Sequence, residues 1–146
     1  MSKRYPRWLA IALLVVPLAC QAADKAKDDS LFRAFGGEPG LNALMADFVP
    51  RLIADAQIGR HFKSTNREHL ARQLAAQVCQ LAGGPCTYEG PAMGPAHEGM
   101  GITRADFNRL VELLQASMAS RGVPFGAQNR LLALLAPMHR EIVEPR

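Results

Sequence analysis

The chain has 146 residues, with 17 Lys or Arg against 13 Asp or Glu, for a formal charge of +4 and a pI near 9.3. Much of the excess lies at the start, where Lys3, Arg4 and Arg7 stand with no acidic residue; without residues 1–22 there remain 14 basic and 13 acidic residues, a charge of +1. That near-neutral remainder carries no basic stripe, so no nucleic-acid partner is expected. Its length suits one domain with a single core.

Residues 1–22 read as a signal peptide. A basic start is followed by an apolar run of twelve, Trp8 to Ala19, and then by the small residues Cys20, Ala22 and Ala23. Twelve residues fall short of the roughly 20 needed to cross a bilayer, and no later apolar run is longer, so no membrane span is expected. Cys20 and Ala22 suit ordinary cleavage after residue 22. A lipid anchor at Cys20 is the alternative, but a lipoprotein site wants Leu where this chain has Pro17. Either route implies export, with the periplasm as the expected location.

Residues 23–30 are charged and without period, and read as a flexible leader before a folded domain at 31–146. Ser30 to Phe35 forms a short helix stopped by Gly36-Gly37. Leu41, Leu44, Met45, Phe48, Leu52 and Ile53 recur at helical spacing over about four turns, with Pro50 expected to bend the helix or make it irregular. Asp55 to Lys63 is a connector carrying His61 and Phe62. Thr65-Asn-Arg-Glu68 fits a capping box that opens a helix with Leu70, Leu74, Val78 and Leu81 on one face, closed by Gly83-Gly84-Pro85. Tyr88 to Met100, rich in Gly and Pro, has room for one or two turns near Ala92 to Glu98. Thr103-Arg-Ala-Asp106 is a second capping box, before a helix with Phe107, Leu110, Val111, Leu114 and Met118 on its apolar face and Gly122 at its end. A last helix carries Leu131, Leu132, Leu135, Met138 and Ile142, bent at Pro137. No period-two run appears, so the class is all-α.

Beyond residue 22 two cysteines remain, Cys79 and Cys86. In a chain bound for an oxidising compartment they read as a disulfide closing a short loop, with two free thiols as the alternative. There is no Cys-x-x-Cys-His for haem attachment, no His-Glu-x-x-His or paired Cys-x-x-Cys for zinc, no Gly-x-Ser-x-Gly and no phosphate loop. Four isolated histidines remain: His61, His69, His97 and His139. Isolated histidines are usually structural or solvated. His97 differs in context, standing at the end of a short helical segment before Gly99-Met-Gly101, the kind of rigidly stopped element that suits an axial ligand. His61 and His69 flank the edge of any such pocket and are expected on the solvated surface, with contact to a propionate of a bound haem as the alternative.

Several pieces fall in order and at gapless spacing: Gly36-Gly37-Glu-Pro39, Phe62, Gly83-Gly84-Pro85 before Tyr88-Glu-Gly90, Met93-x3-His97-x-Gly-x-Gly-Ile102-Thr, Phe107 and Pro137. Together they resemble a group I truncated haemoglobin, from about Leu31 to Val143. The resemblance implies a two-over-two helical sandwich around haem b, iron protoporphyrin IX, with His97 as proximal iron ligand. It further implies cofactor contacts from Phe62, Leu70, Gln73, Leu74, Met93, Ile102 and Phe107. The distal pocket over the iron would be built from Val49, Leu70, Gln73 and Leu74.

The distal side departs from the family pattern. Oxygen-binding members commonly have tyrosine where this chain has Val49 and glutamine where it has Leu74; both donate hydrogen bonds to bound dioxygen. Their loss leaves an unusually apolar distal wall with Gln73 as its one amide. Met100 likewise stands where relatives can have a basic residue that pairs with a haem propionate. The expected function is reversible binding of diatomic gases, O2, NO or CO, without enzymatic turnover. The alternatives are a haem-dependent NO dioxygenase, served by a reductase, or weak peroxidase, and a haem-free helical binding protein of the cell envelope.

Overall fold

The computed structural model describes residues 28–144. The signal peptide, Cys20 and most of the leader lie outside the described residues. Those described contain seven α-helices and no strand: α1 Ser30–Ala34, α2 Gly37–Ala54, α3 Arg67–Leu81, α4 Met93–His97, α5 Arg104–Ser120, α6 Phe125–Leu135 and α7 His139–Ile142. Two 3-10 turns complete the set, Gly59–Phe62 before α3 and Ala136–Met138 between α6 and α7.

The helices form two crossed layers. α2 lies along α3 and also meets α5, which packs on α6. The core between them takes Leu41, Leu44, Met45, Phe48 and Leu52 from α2, Ala75, Val78 and Cys79 from α3, Leu114 and Met118 from α5, and Leu131 from α6. Fully burying a Leu or Met side chain is worth about 1.5–3 kcal/mol, so this seam supplies most of the cohesion. This is the all-α two-over-two globin arrangement.

Four local expectations are revised. α2 is a full turn longer at its start than the periodicity indicated and runs unbroken through Pro50. The carbonyl of Ala46, which loses its helical donor to Pro50, is on the exposed side with Pro50 itself, where water can serve it. α3 is capped by Asn66, whose side chain accepts from the His69 N–H at 2.9 Å. Thr65 lies one residue earlier, in the turn that follows the 3-10 segment, where its N–H donates to the Phe62 carbonyl. Pro137 goes beyond bending the last helix and converts it to a 3-10 turn between α6 and α7. Finally, residues 28–30 are tied to the fold: Asp28 accepts from the Ser30 N–H and faces Arg130 at 3.5 Å, and Ser30 begins α1.

Two features place α4. Cys79 and Cys86 are joined by a disulfide, pinning the loop after α3 to the core. Gly84 packs directly against it, where an added Cβ would sit 2.6 Å from the Cys79 sulfur and 2.7 Å from the Phe32 ring. On the other side, Gly99 and Gly101 both take positive φ, a conformation glycine adopts cheaply, and so end the helix abruptly. The chain beyond them is held by Glu144, whose carboxylate accepts from Gly101 N–H at 2.9 Å while its N–H donates to the Ile102 carbonyl. α4 itself has no buried residue and packs on α7, so its place is set largely from its two ends.

Candidate functional site

A largely apolar cavity of about 300 Å³ opens between the 3-10 turn, α3, α4 and the start of α5. It brings together Phe62, Leu70, Gln73, Leu74, Met93, His97, Ile102 and Phe107, eight residues from five stretches of sequence. Their convergence follows from helical spacing on α3 and from the glycine break that turns His97 and Ile102 toward the same space. Val49 behaves differently. It is buried on α2, but it is not among the residues that line the cavity, and its short branched side chain does not reach it. α3 supplies Leu70, Gln73 and Leu74 to the cavity wall.

The His97 ring is fixed by its own helix. Its Nδ1 lies 2.8 Å from the Met93 carbonyl oxygen. A carbonyl can only accept, so Nδ1 carries the proton and donates, leaving Nε2 with a free lone pair. This is the arrangement that prepares a neutral imidazole for a metal, with the second nitrogen held by a neighbour. Met93 is steadied in turn by Gln77, whose amide N–H approaches the Met93 sulfur at 3.4 Å and the Met138 sulfur at 3.9 Å. With its amide so engaged, Gln77 lines the cavity without offering a free donor to it.

Gln73 is different, because its Oε1 is buried without a hydrogen-bond partner. An unpaired buried amide oxygen costs about 1–3 kcal/mol, which is tolerable where a ligand or a half-turn of the amide can use the group. The donor set of the cavity thus fits haem: one imidazole with a free Nε2, flat apolar walls from Phe62, Phe107, Leu70 and Leu74, and one unpaired amide.

Several wall residues were not anticipated. His61, expected on the surface, has only 11% of its side chain exposed and lines the cavity beside Phe62. Both residues belong to the 3-10 turn Gly59–Phe62, which lies at the cavity. Asp106 also lines the cavity and is 4% exposed. It closes the capping box of α5, accepting from Thr103 N–H at 3.0 Å and Thr103 Oγ1 at 2.8 Å, and it pairs with Arg60 at 3.0 Å and Gln57 at 3.3 Å. His69, by contrast, is exposed on α3, and His139 packs its ring edge-on against Phe107 at 4.9 Å.

Burial alone would raise the Asp106 carboxyl, but the hydrogen bonds from Thr103 and Gln57 and the charge of Arg60 outweigh it. They hold the group well below its ordinary 3.8. A depressed folded value means that the stabilisation is fully present above the unfolded value and is lost as pH falls through the folded one. Asp106→Asn should therefore cost about 2 kcal/mol at pH 7, with the gap to wild type narrowing below about pH 4. Urea unfolding at pH 7, 4 and 3 checks this; a gap independent of pH would contradict it.

The Bacterial-like globin family matches residues 30–144. A group 1 truncated haemoglobin of Tetrahymena thermophila is 34% identical over 97 residues, covering 66% of this chain and 80% of that protein. One of Mycolicibacterium paratuberculosis is 30% identical over 118 residues, 81% of this chain and 87% of that one. The crystal structure of truncated haemoglobin from Tetrahymena pyriformis, in the Fe(III) form, superposes with a TM-score of 0.75 at 26% identity, over 79% of this chain and 98% of that one. Among the described residues no helix is long and apolar enough to cross a membrane. The chain belongs to the bacterial-like globins as a group 1 truncated haemoglobin, a haem b protein of a family that binds gaseous ligands.

Proposed function

We propose that this chain holds one haem b through His97 Nε2 and offers the opposite face of the cavity to O2, NO or CO, with Gln73 as the one amide free to meet them. The observation that carries this reading is the 2.8 Å contact from His97 Nδ1 to the Met93 carbonyl, which leaves Nε2 free in the cavity wall. His97 would hold the haem, which when bound would supply an iron centre that takes a small diatomic gas. The protein's part is to fix the imidazole, exclude water with Phe62, Leu70, Leu74 and Phe107, and place a single amide on α3. Oxygen draws negative charge when it binds and is held by a donor, whereas carbon monoxide is nearly indifferent to one. With tyrosine absent at Val49 and glutamine absent at Leu74, oxygen should leave readily, whereas nitric oxide binding depends less on such donors.

Stopped-flow rates of ligand loss from the reduced protein test the distal assignment. Gln73→Leu should speed oxygen loss by about tenfold and Leu74→Gln should slow it by a similar factor, each leaving carbon monoxide within about twofold. Equal effects on both gases would refute a hydrogen-bonding role for Gln73.

A second reading, NO dioxygenation or a weak peroxidase reaction fed by a reductase, gains one observation. His61 and Asp106 put an imidazole and a carboxylate in the cavity wall, the kind of acid–base pair such chemistry uses. Export to the periplasm belongs to the same proposal, and the Cys79–Cys86 disulfide is in keeping with an oxidising compartment.

A further inference from the structure

We infer that His61 is a porphyrin-contacting residue of this site and that Asp106 is the residue that positions it. The inference rests on the haem reading above and adds to it a residue pair from the 3-10 turn and α5. His61 Nε2 is buried and has no hydrogen-bond partner, lying 3.8 Å from Asp106 Oδ2. That separation is too long for a hydrogen bond yet within reach of a small rotation of the ring.

Asp106 is the fixed member of the pair. It is tied to Thr103 through backbone and hydroxyl, to Gln57 through the amide and to Arg60 through the guanidinium, so the ring must come to the carboxylate. The Arg60 guanidinium also donates to the Gln57 carbonyl, binding the 3-10 turn to the residues before it. A group pressing on the cavity face of His61 would push Nε2–H onto Oδ2 and satisfy the one unpaired atom in this wall.

The same geometry separates the two cavity histidines by role. His97 spends Nδ1 on a carbonyl and leaves Nε2 for a metal. His61 holds Nε2 3.8 Å from a carboxylate, so its ring would offer a porphyrin an aromatic contact rather than a metal ligand. Beside Phe62 it extends the wall with a second aromatic ring whose orientation is set from α5.

Titration of the protein with haemin and with metal-free protoporphyrin IX, followed by quenching of intrinsic fluorescence, tests the pair. His61→Leu should weaken both porphyrins by about tenfold, because an edge contact does not need iron. Asp106→Asn should weaken both about threefold and move the Soret maximum of the haemin complex in the same direction as His61→Leu. The double variant should bind no more weakly than His61→Leu alone, since Asp106 acts through that ring. His61→Gln, which keeps a polar group of similar reach, should recover part of the loss. Additive losses would reduce Asp106 to a structural support and overturn the pairing. Loss confined to haemin would make His61 an iron ligand and overturn the edge contact. Binding of neither porphyrin by the wild-type chain would instead strike down the haem reading itself, a result distinct from both.

Discussion

Replacing His97 by alanine is expected to lower the affinity for haemin by more than about 100-fold, above the 10–100-fold that follows loss of an outer partner of a metal ligand. The reason is specific to the cavity. Among its wall residues, His97 alone presents a nitrogen whose lone pair is left free by a fixed tautomer, through the Met93 carbonyl at 2.8 Å. The remaining walls offer apolar contact, which binds a porphyrin weakly and does not anchor its iron. Free imidazole added to the variant should enter the space left behind and restore much of the Soret band. An affinity within threefold of wild type would show that the ligand is elsewhere. Metal-free protoporphyrin IX should bind His97→Ala and wild type alike, which separates loss of the iron bond from collapse of the pocket.

The second large effect concerns the disulfide. Cys79 and Cys86 are seven residues apart, and closing so short a loop is worth about 2–3 kcal/mol in the chain-entropy account. The Cys79→Ala/Cys86→Ala double variant should lose that much in urea unfolding. Its site should suffer more than its fold. α4 has no buried residue, so it depends on the pinned loop on one side and on Glu144 on the other. Haemin transfer to an apo-globin acceptor should therefore be about tenfold faster in the double variant, or in wild type treated with a dithiol reductant. Unchanged transfer with reduced stability would mean that α4 is positioned by α7 alone.

What the sequence disclosed and what it hid follow from the range of each signal. Helical periodicity and glycine stops are local, and they located α3, α4 and α5 well. The Thr103–Asp106 capping box was legible because both partners lie within one turn. The α3 cap was displaced by one residue because Thr65 is drawn into a turn whose existence no local pattern announced. His61 was hidden for the same reason. Next to Phe62 in a connector it looks like surface, and only the tertiary packing of that turn against α5 puts it at the cavity. Asp106 could be read as a helix cap, but its second role depends on Arg60 and Gln57, more than forty residues away in sequence. Val49, which the resemblance placed over the iron, is buried on α2 and is not among the residues that line the cavity.

The central claim is that this cavity binds one haem through His97. Resonance Raman spectroscopy of the reduced, haem-loaded protein tests it directly, with histidine labelled with nitrogen-15. An iron–histidine stretching band is expected that shifts with the label, is present at one haem per chain and is absent in His97→Ala. A band that survives in His97→Ala, or a loaded protein with no such band, would contradict it.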